Sequence, residues 1–169
     1  MVFGMSLAAY TFLHTLISLV GIASGLIVLV GLLGGKRMDG WTALFLTTTI
    51  LTSVTGFGFP FEHLLPSHVV GLLSLVVLAV AVVARYPQKL AGGWRRTYVI
   101  SATIALYFNV FVLVVQGFLK VPALKALAPT QSEPPFAIAQ GLVLLAFVAL
   151  GIRAVIRFGA ASAPAAGGR

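Results

Sequence analysis

Residues 1–33 contain no Lys, Arg, Asp or Glu, and the first basic side chain is Lys36. A helix that crosses a bilayer needs ~20 predominantly apolar residues, so this run alone is long enough. A cleaved leader would carry cations ahead of its apolar core, and none precedes this one, so the segment reads as retained. It stops at Gly34-Gly35-Lys36-Arg37, a helix terminator followed by interfacial cations. Four further apolar runs follow, separated by basic or proline-bearing connections. The expected helices are 6–33, 41–60, 67–85, 97–119 and 135–157, in one all-α domain over 1–158 with a flexible small-residue tail over 159–169. Prolines 129, 134 and 135 cannot sit inside a helix and set the borders of the last connection.

Composition assigns the outer solvent. The chain is 60% hydrophobic and 8% charged, against about 45–50% and about 25% in soluble domains. There are too few charges to cover a water-facing shell, so lipid must be the surrounding medium. The net charge of +8 does not imply nucleic acid, because the cations sit at the ends of apolar runs, where they fix topology and meet anionic headgroups. The expected partners are the lipid bilayer and other membrane proteins or further copies of the chain. Without cysteine there is no disulfide framework and no thiolate metal site.

Five spans place the termini on opposite sides. Nine of the eleven cations fall on one side and only Lys120 and Lys125 on the other. The positive-inside rule then puts the N-terminus outside and the C-terminus in the cytoplasm of a bacterial inner membrane, with Trp41 and Trp94 at the cytoplasmic interface.

This threading gathers the scarce polar groups at the outer end. The stretch 58–68 holds Glu62, His63 and His68; His14 lies in the outer half of the first helix, and Glu133 in the last connection. His14, Ser18, Gly21 and Gly25 share one helical stripe, and the Gly21-x-x-x-Gly25 spacing admits a close neighbour. Asn109 and Gln116 share a face of the fourth run, and Gln140 lies in the fifth; a lipid-facing amide would forfeit its hydrogen bonds, so these point inward. The spacing from His14 to Gly40-Trp41 resembles that from His68 to Gly93-Trp94, a faint repeat of a two-helix unit.

Two readings of the histidines compete. His14 and His68, with His63 or Glu62, form a candidate site for a divalent metal or for axial ligation of haem b. Alternatively His68 anchors a helix end and His14 makes one interhelical hydrogen bond. No tight His-x-x-x-His pair is present. The hydroxyls Thr48, Thr52 and Thr55 form a stripe with two readings, the lining of a polar path or a helix-packing face, and packing is the favoured one. The connection 120–135 exceeds the usual helix-to-helix loop; with Gln131 and Glu133 it reads as a stiff lid over the outer end. No nucleophile motif or phosphate loop is visible, so no catalytic residue is assigned.

The run Asn109-Val110-Phe111-Val112-Leu113-Val114-Val115-Gln116 and the piece Ala128-Pro129-Thr130-Gln131-Ser132-Glu133-Pro134-Pro135-Phe136 resemble a family of small bacterial inner-membrane proteins that brings no activity with it. His14 with Leu51-Thr52-Ser53-Val54-Thr55-Gly56 is more distantly similar to cytochrome b561-like membrane proteins, which hold haem between histidines of facing helices. That resemblance implies at most one haem, since the second, fourth and fifth runs carry no histidine. The leading expectation is an accessory subunit or small ligand-binding protein with its polar site at the outer face. A single-haem or metal redox protein and a small transporter are the alternatives.

Overall fold

The computed structural model describes residues 2, 4–60 and 66–160, and these are all-α, without a named strand. Six helices follow in order: α1 (Leu7–Leu33), α2 (Asp39–Gly56), α3 (Pro66–Arg85), α4 (Trp94–Lys120), α5 (Pro122–Leu127) and α6 (Pro134–Ala160). The sequence reading expects five. The additional helix α5 occupies six residues that start on a proline, inside the connection read as an irregular lid. A single turn and a half between prolines leaves no periodic signature. Helix α2 ends at Gly56, four residues short of its expected limit, because Phe57 and the residues after it turn away.

Each boundary has a local cause. Ser6 caps α1 by accepting from the Ala9 N–H at 3.2 Å. At the other end Gly35 takes a positive φ of 71°, which reverses the chain at little cost. Met38 then enters α2 from the left-handed region and lays its side chain against Gly31, where a Cβ would lie only 2.3 Å from Met38 Cγ. The α3–α4 turn uses three consecutive-region positive φ values at Lys89, Leu90 and Gly92, and Leu90 folds into the core.

Helices α1 and α2 form one antiparallel hairpin and α3 and α4 another; α2 against α3 and α1 against α4 close a four-helix ring. Helix α6 lies outside the ring on α4 and α1. The core is filled mainly at one end, where Val28, Leu32, Phe45, Leu78, Ala81, Tyr98 and Leu106 are buried together. Gly25 is required there: a Cβ would come within 2.5 Å of Leu106 Cδ1 and 2.8 Å of the Phe45 ring. The expected close-packing face on α1 is therefore present.

Polar clasps tie this end of the bundle. Arg85, 4% exposed, pairs with Asp39 across α2 and α3, donates to the Arg37 carbonyl at 3.2 Å and lies 5.1 Å from the Tyr98 ring centroid. Arg95 donates to the Phe158 carbonyl at 2.7 Å and stacks over its ring, fixing α6 to α4. Lys36, Arg37, Arg85, Arg95 and Arg157 thus gather at the end where α1, α3 and α6 finish. Trp41 and Trp94 are exposed at the same end.

Four helices are long and apolar enough to cross a membrane: α1, α3, α4 and α6. Their outward faces carry Phe12, Val30, Leu72, Ile138, Leu145 and Ile156, all largely exposed, as suits a multi-pass membrane protein. The difference from the expected five spans is α2, whose 18 residues are diluted in apolar character by seven hydroxyl side chains.

Candidate functional site

The two hairpins part at the end opposite the basic clasps, where α1 and α3 begin and α2 and α4 finish. A cavity of about 470 Å³ opens there between the four helices of the ring. That volume falls within the roughly 300–1,000 Å³ typical of small-molecule sites. Its described walls carry His14, Thr52, His68, Asn109, Gln116 and Lys120 set among apolar side chains such as Leu19, Ile22, Val112 and Leu113.

His14 is placed by its helix stripe, which turns it toward α2. Its Nδ1 lies 2.8 Å from Thr55 Oγ1. That hydroxyl has one proton, and it sits 2.7 Å from the Leu51 carbonyl of its own helix, so the proton goes to the carbonyl. Nδ1–H of His14 therefore donates to Thr55, and in the neutral form of the ring the lone pair is on Nε2. Phe59 meets the imidazole edge-on, with ring centroids 5.1 Å apart. The Tyr10 hydroxyl donates to the Thr55 carbonyl at 2.7 Å, so the first two turns of α1 are tied to the end of α2 at two heights.

His68, in the first turn of α3, is buried and stacks on Phe57 at 5.5 Å. Gly71 one turn later leaves room for that ring, since a Cβ would approach it to 3.3 Å. Phe57 and Phe59 thus bring an aromatic face to each of the two imidazoles from the chain that leaves α2. Deeper in, Asn109 Nδ2 donates to Thr49 Oγ1 at 3.2 Å and Ser53 Oγ to Ser74 Oγ at 3.2 Å, joining α4 to α2 and α2 to α3. Gly21 allows the first of these, because its Cβ position is 3.2–3.5 Å from Thr48, Thr49 and Asn109 side-chain atoms. Thr52 differs from its neighbours. The residue lines the cavity, but its Oγ1 is buried without a hydrogen-bond partner, and a buried hydroxyl left unpaired costs about 1–3 kcal/mol.

The structure brings together four sequence-expected residues, His14, His68, Asn109 and Gln116, around one cavity. Three others serve the adjoining scaffold. Gln131 donates to the Val115 carbonyl at 2.8 Å and seats the 128–133 loop on α4. Glu133 precedes α6 and accepts from Thr130 N at 3.2 Å, Thr130 Oγ1 at 2.9 Å and Ser132 N at 3.1 Å. Lost hydration pushes its carboxyl up, but these bonds, with the Thr130 hydroxyl foremost, outweigh it and hold the pKa below the usual glutamate value. Gln140 donates to the Phe111 carbonyl at 3.1 Å on the α4–α6 seam. Glu62 and His63 lie outside the described residues.

Thr52, Phe57, Phe59 and Lys120 were not singled out from the sequence as parts of a site. Among the described residues no group of three or more His, Asp or Glu is close enough to hold a metal ion. No protein-family model, curated protein or solved structure matches the chain.

Proposed function

We propose that this protein is a multi-pass inner-membrane binding protein, or the ligand-holding accessory subunit of a larger assembly, whose site is the cavity at the non-cytoplasmic end. The observation that carries this reading is the cavity itself: about 470 Å³ between α1, α2, α3 and α4, with His14, His68, Asn109 and Gln116 on its walls.

Sidedness follows from charge. Eight of the ten cations among the described residues lie at or near the clasped end, and the positive-inside rule assigns that end to the cytoplasm. Helix α2 then serves as a fifth span. Its 18 residues rise ~27 Å. Thr48 and Thr55 bond back to Leu44 and Leu51 carbonyls, while Thr42, Thr49 and Ser53 are buried. Five of its seven hydroxyls are thus buried or bonded back to their own helix, which lowers the cost of placing them in the membrane.

A second reading, a redox protein with one haem or metal, is favoured by one observation: His14 and His68 line the same cavity, and His14 keeps Nε2 available for ligation. The lack of a third close ligand among the described residues weighs against a divalent ion. A transporter finds less support, because beneath the cavity the ring is plugged by Phe45, Leu78, Ala81 and Leu106.

The test is native mass spectrometry of the protein extracted from its own membrane in polymer-bounded lipid discs, beside the cavity-filling variant Val112→Trp. A small-molecule adduct present on the native chain and lost from the variant is expected. Equal adducts on both, or none on either, would overturn the reading. A Soret band in the same discs that disappears in His14→Ala would decide for haem.

A further inference from the structure

The cavity wall between α1 and α4 is built partly of exposed side chains. Thr15 and Leu19 on α1, and Leu113 and Lys120 on α4, line the cavity, and all four are exposed. Leu19 is 46% exposed and Leu113 42%. Side chains that face both a cavity and the surroundings mark a lateral mouth. In a membrane-embedded bundle the surroundings at Leu19 and Leu113 are acyl chains, so this mouth opens into the bilayer rather than straight into water. Leu19 and Leu113 keep this exposure with α6 in place on α4 and α1.

Charge gives the mouth a direction. Lys120, the last residue of α4, is the one Lys or Arg among the described lining residues, and no described acid joins it. Asp39 is engaged by Arg85 at the opposite end, and Glu133 is held within its own loop. The polar side chains Gln116 and Ser67 lie at the same rim, while Leu19, Ile22, Val112 and Leu113 provide an apolar lining further in. A cation at the rim above an apolar slot matches an amphiphile with an anionic head and a hydrocarbon tail.

Building on the ligand-binding reading above, we propose that the cavity takes a single-chain amphiphile with an anionic headgroup, carboxylate or phosphate, directly from the bilayer through the gap between α1 and α4. Its head pairs with Lys120 at the rim and its chain enters alongside Leu19 and Leu113 to lie on Ile22 and Val112. The volume suits one chain; a diacyl lipid would have to leave its second chain in the membrane.

The experiment uses the full chain in phosphatidylcholine liposomes at mildly alkaline pH, with three spin-labelled amphiphiles of equal chain length: stearate, lysophosphatidate and lysophosphatidylcholine. Electron paramagnetic resonance reads the motionally restricted fraction as label is titrated. A saturable restricted component is expected for the two anions, about fivefold tighter than for the zwitterion, the upper range for a rim-exposed ion pair. Lys120→Gln should erase that preference, so that all three amphiphiles bind the variant with equal affinity. Val112→Trp should remove the saturable component for all three. Equal affinity for the zwitterion would overturn the headgroup assignment while leaving the cavity a binding site. Displacement of spin-labelled stearate by inorganic phosphate would assign the rim to a soluble anion and overturn the bilayer route. Restricted components identical in the native chain and Val112→Trp would sink this proposal together with the binding function.

Discussion

Removing Asp39 should damage the fold more than removing Arg85, although the two form one ion pair. The Arg85 side chain is 3% exposed and that of Asp39 70%. Breaking a fully buried pair by deleting one partner costs about 3–5 kcal/mol, while an exposed pair contributes about 0–1 kcal/mol. This pair is buried on one side only, so Asp39→Asn falls between, at about 2 kcal/mol. The guanidinium keeps the Arg37 carbonyl and the Tyr98 ring, but its Nη1 already has no partner. Arg85→Leu instead removes the buried charge together with its need for partners, and should cost about 1 kcal/mol or less. At about 2–4 °C per kcal/mol for a chain of this size, Asp39→Asn lowers the midpoint by about 4–8 °C. Thermal unfolding in detergent micelles, followed by circular dichroism, reads both variants and the double variant. In the Arg85→Leu background the Asp39→Asn step should cost nothing measurable. Equal, additive losses in the two backgrounds would show that the clasp does not act as described.

Gly25→Leu should destabilise the bundle by about 3 kcal/mol or prevent assembly, since even a Cβ meets Phe45 and Leu106 at under 3 Å; micellar denaturation would detect it. Asn109→Leu should cost about 1–2 kcal/mol by removing the bond to Thr49 across the α2–α4 interface, read by the same assay. For Glu133 the folded carboxyl has the lower pKa. Its support for the start of α6 is therefore complete above the unfolded value and is lost as pH falls through the folded one. Hydrogen exchange at Phe136 and Ala137, whose N–H groups bond the Glu133 carbonyl, should quicken on acidification, and Glu133→Gln should remove that pH dependence.

The long elements were legible because lipid imposes a simple rule: apolar runs of helical length, with cations and prolines at their ends, leave one arrangement of backbone hydrogen bonds. The boundaries of α1, α3 and α6 fall within a few residues of those expected. The Gly21–Gly25 face could be read from spacing alone, and so could the inward turn of His14 and Asn109. What could not be read depends on partners distant in sequence. Thr52, Thr48 and Thr55 look alike in the chain, yet two bond back to their own helix and Thr52 is left unpaired. Lys120 reads as an interfacial cation until the α1–α4 gap places it on the cavity rim. Arg85 reads as a helix-end charge until Asp39 and Tyr98 bury it. Gln131, Glu133 and Gln140 were expected near the site as polar groups of the outer end, and each is used in seating the 128–133 loop and α6 instead.

The chain contains no cysteine, so single introduced thiols report accessibility without background. Ser67, exposed at the cavity rim, and Lys89, exposed in the turn at the basic end, are the informative pair. In intact spheroplasts a membrane-impermeant maleimide should label Ser67→Cys at once and Lys89→Cys only after the membrane is opened. Labelling of Lys89→Cys in intact cells, with Ser67→Cys protected, would place the cavity on the cytoplasmic side and contradict the proposed binding site.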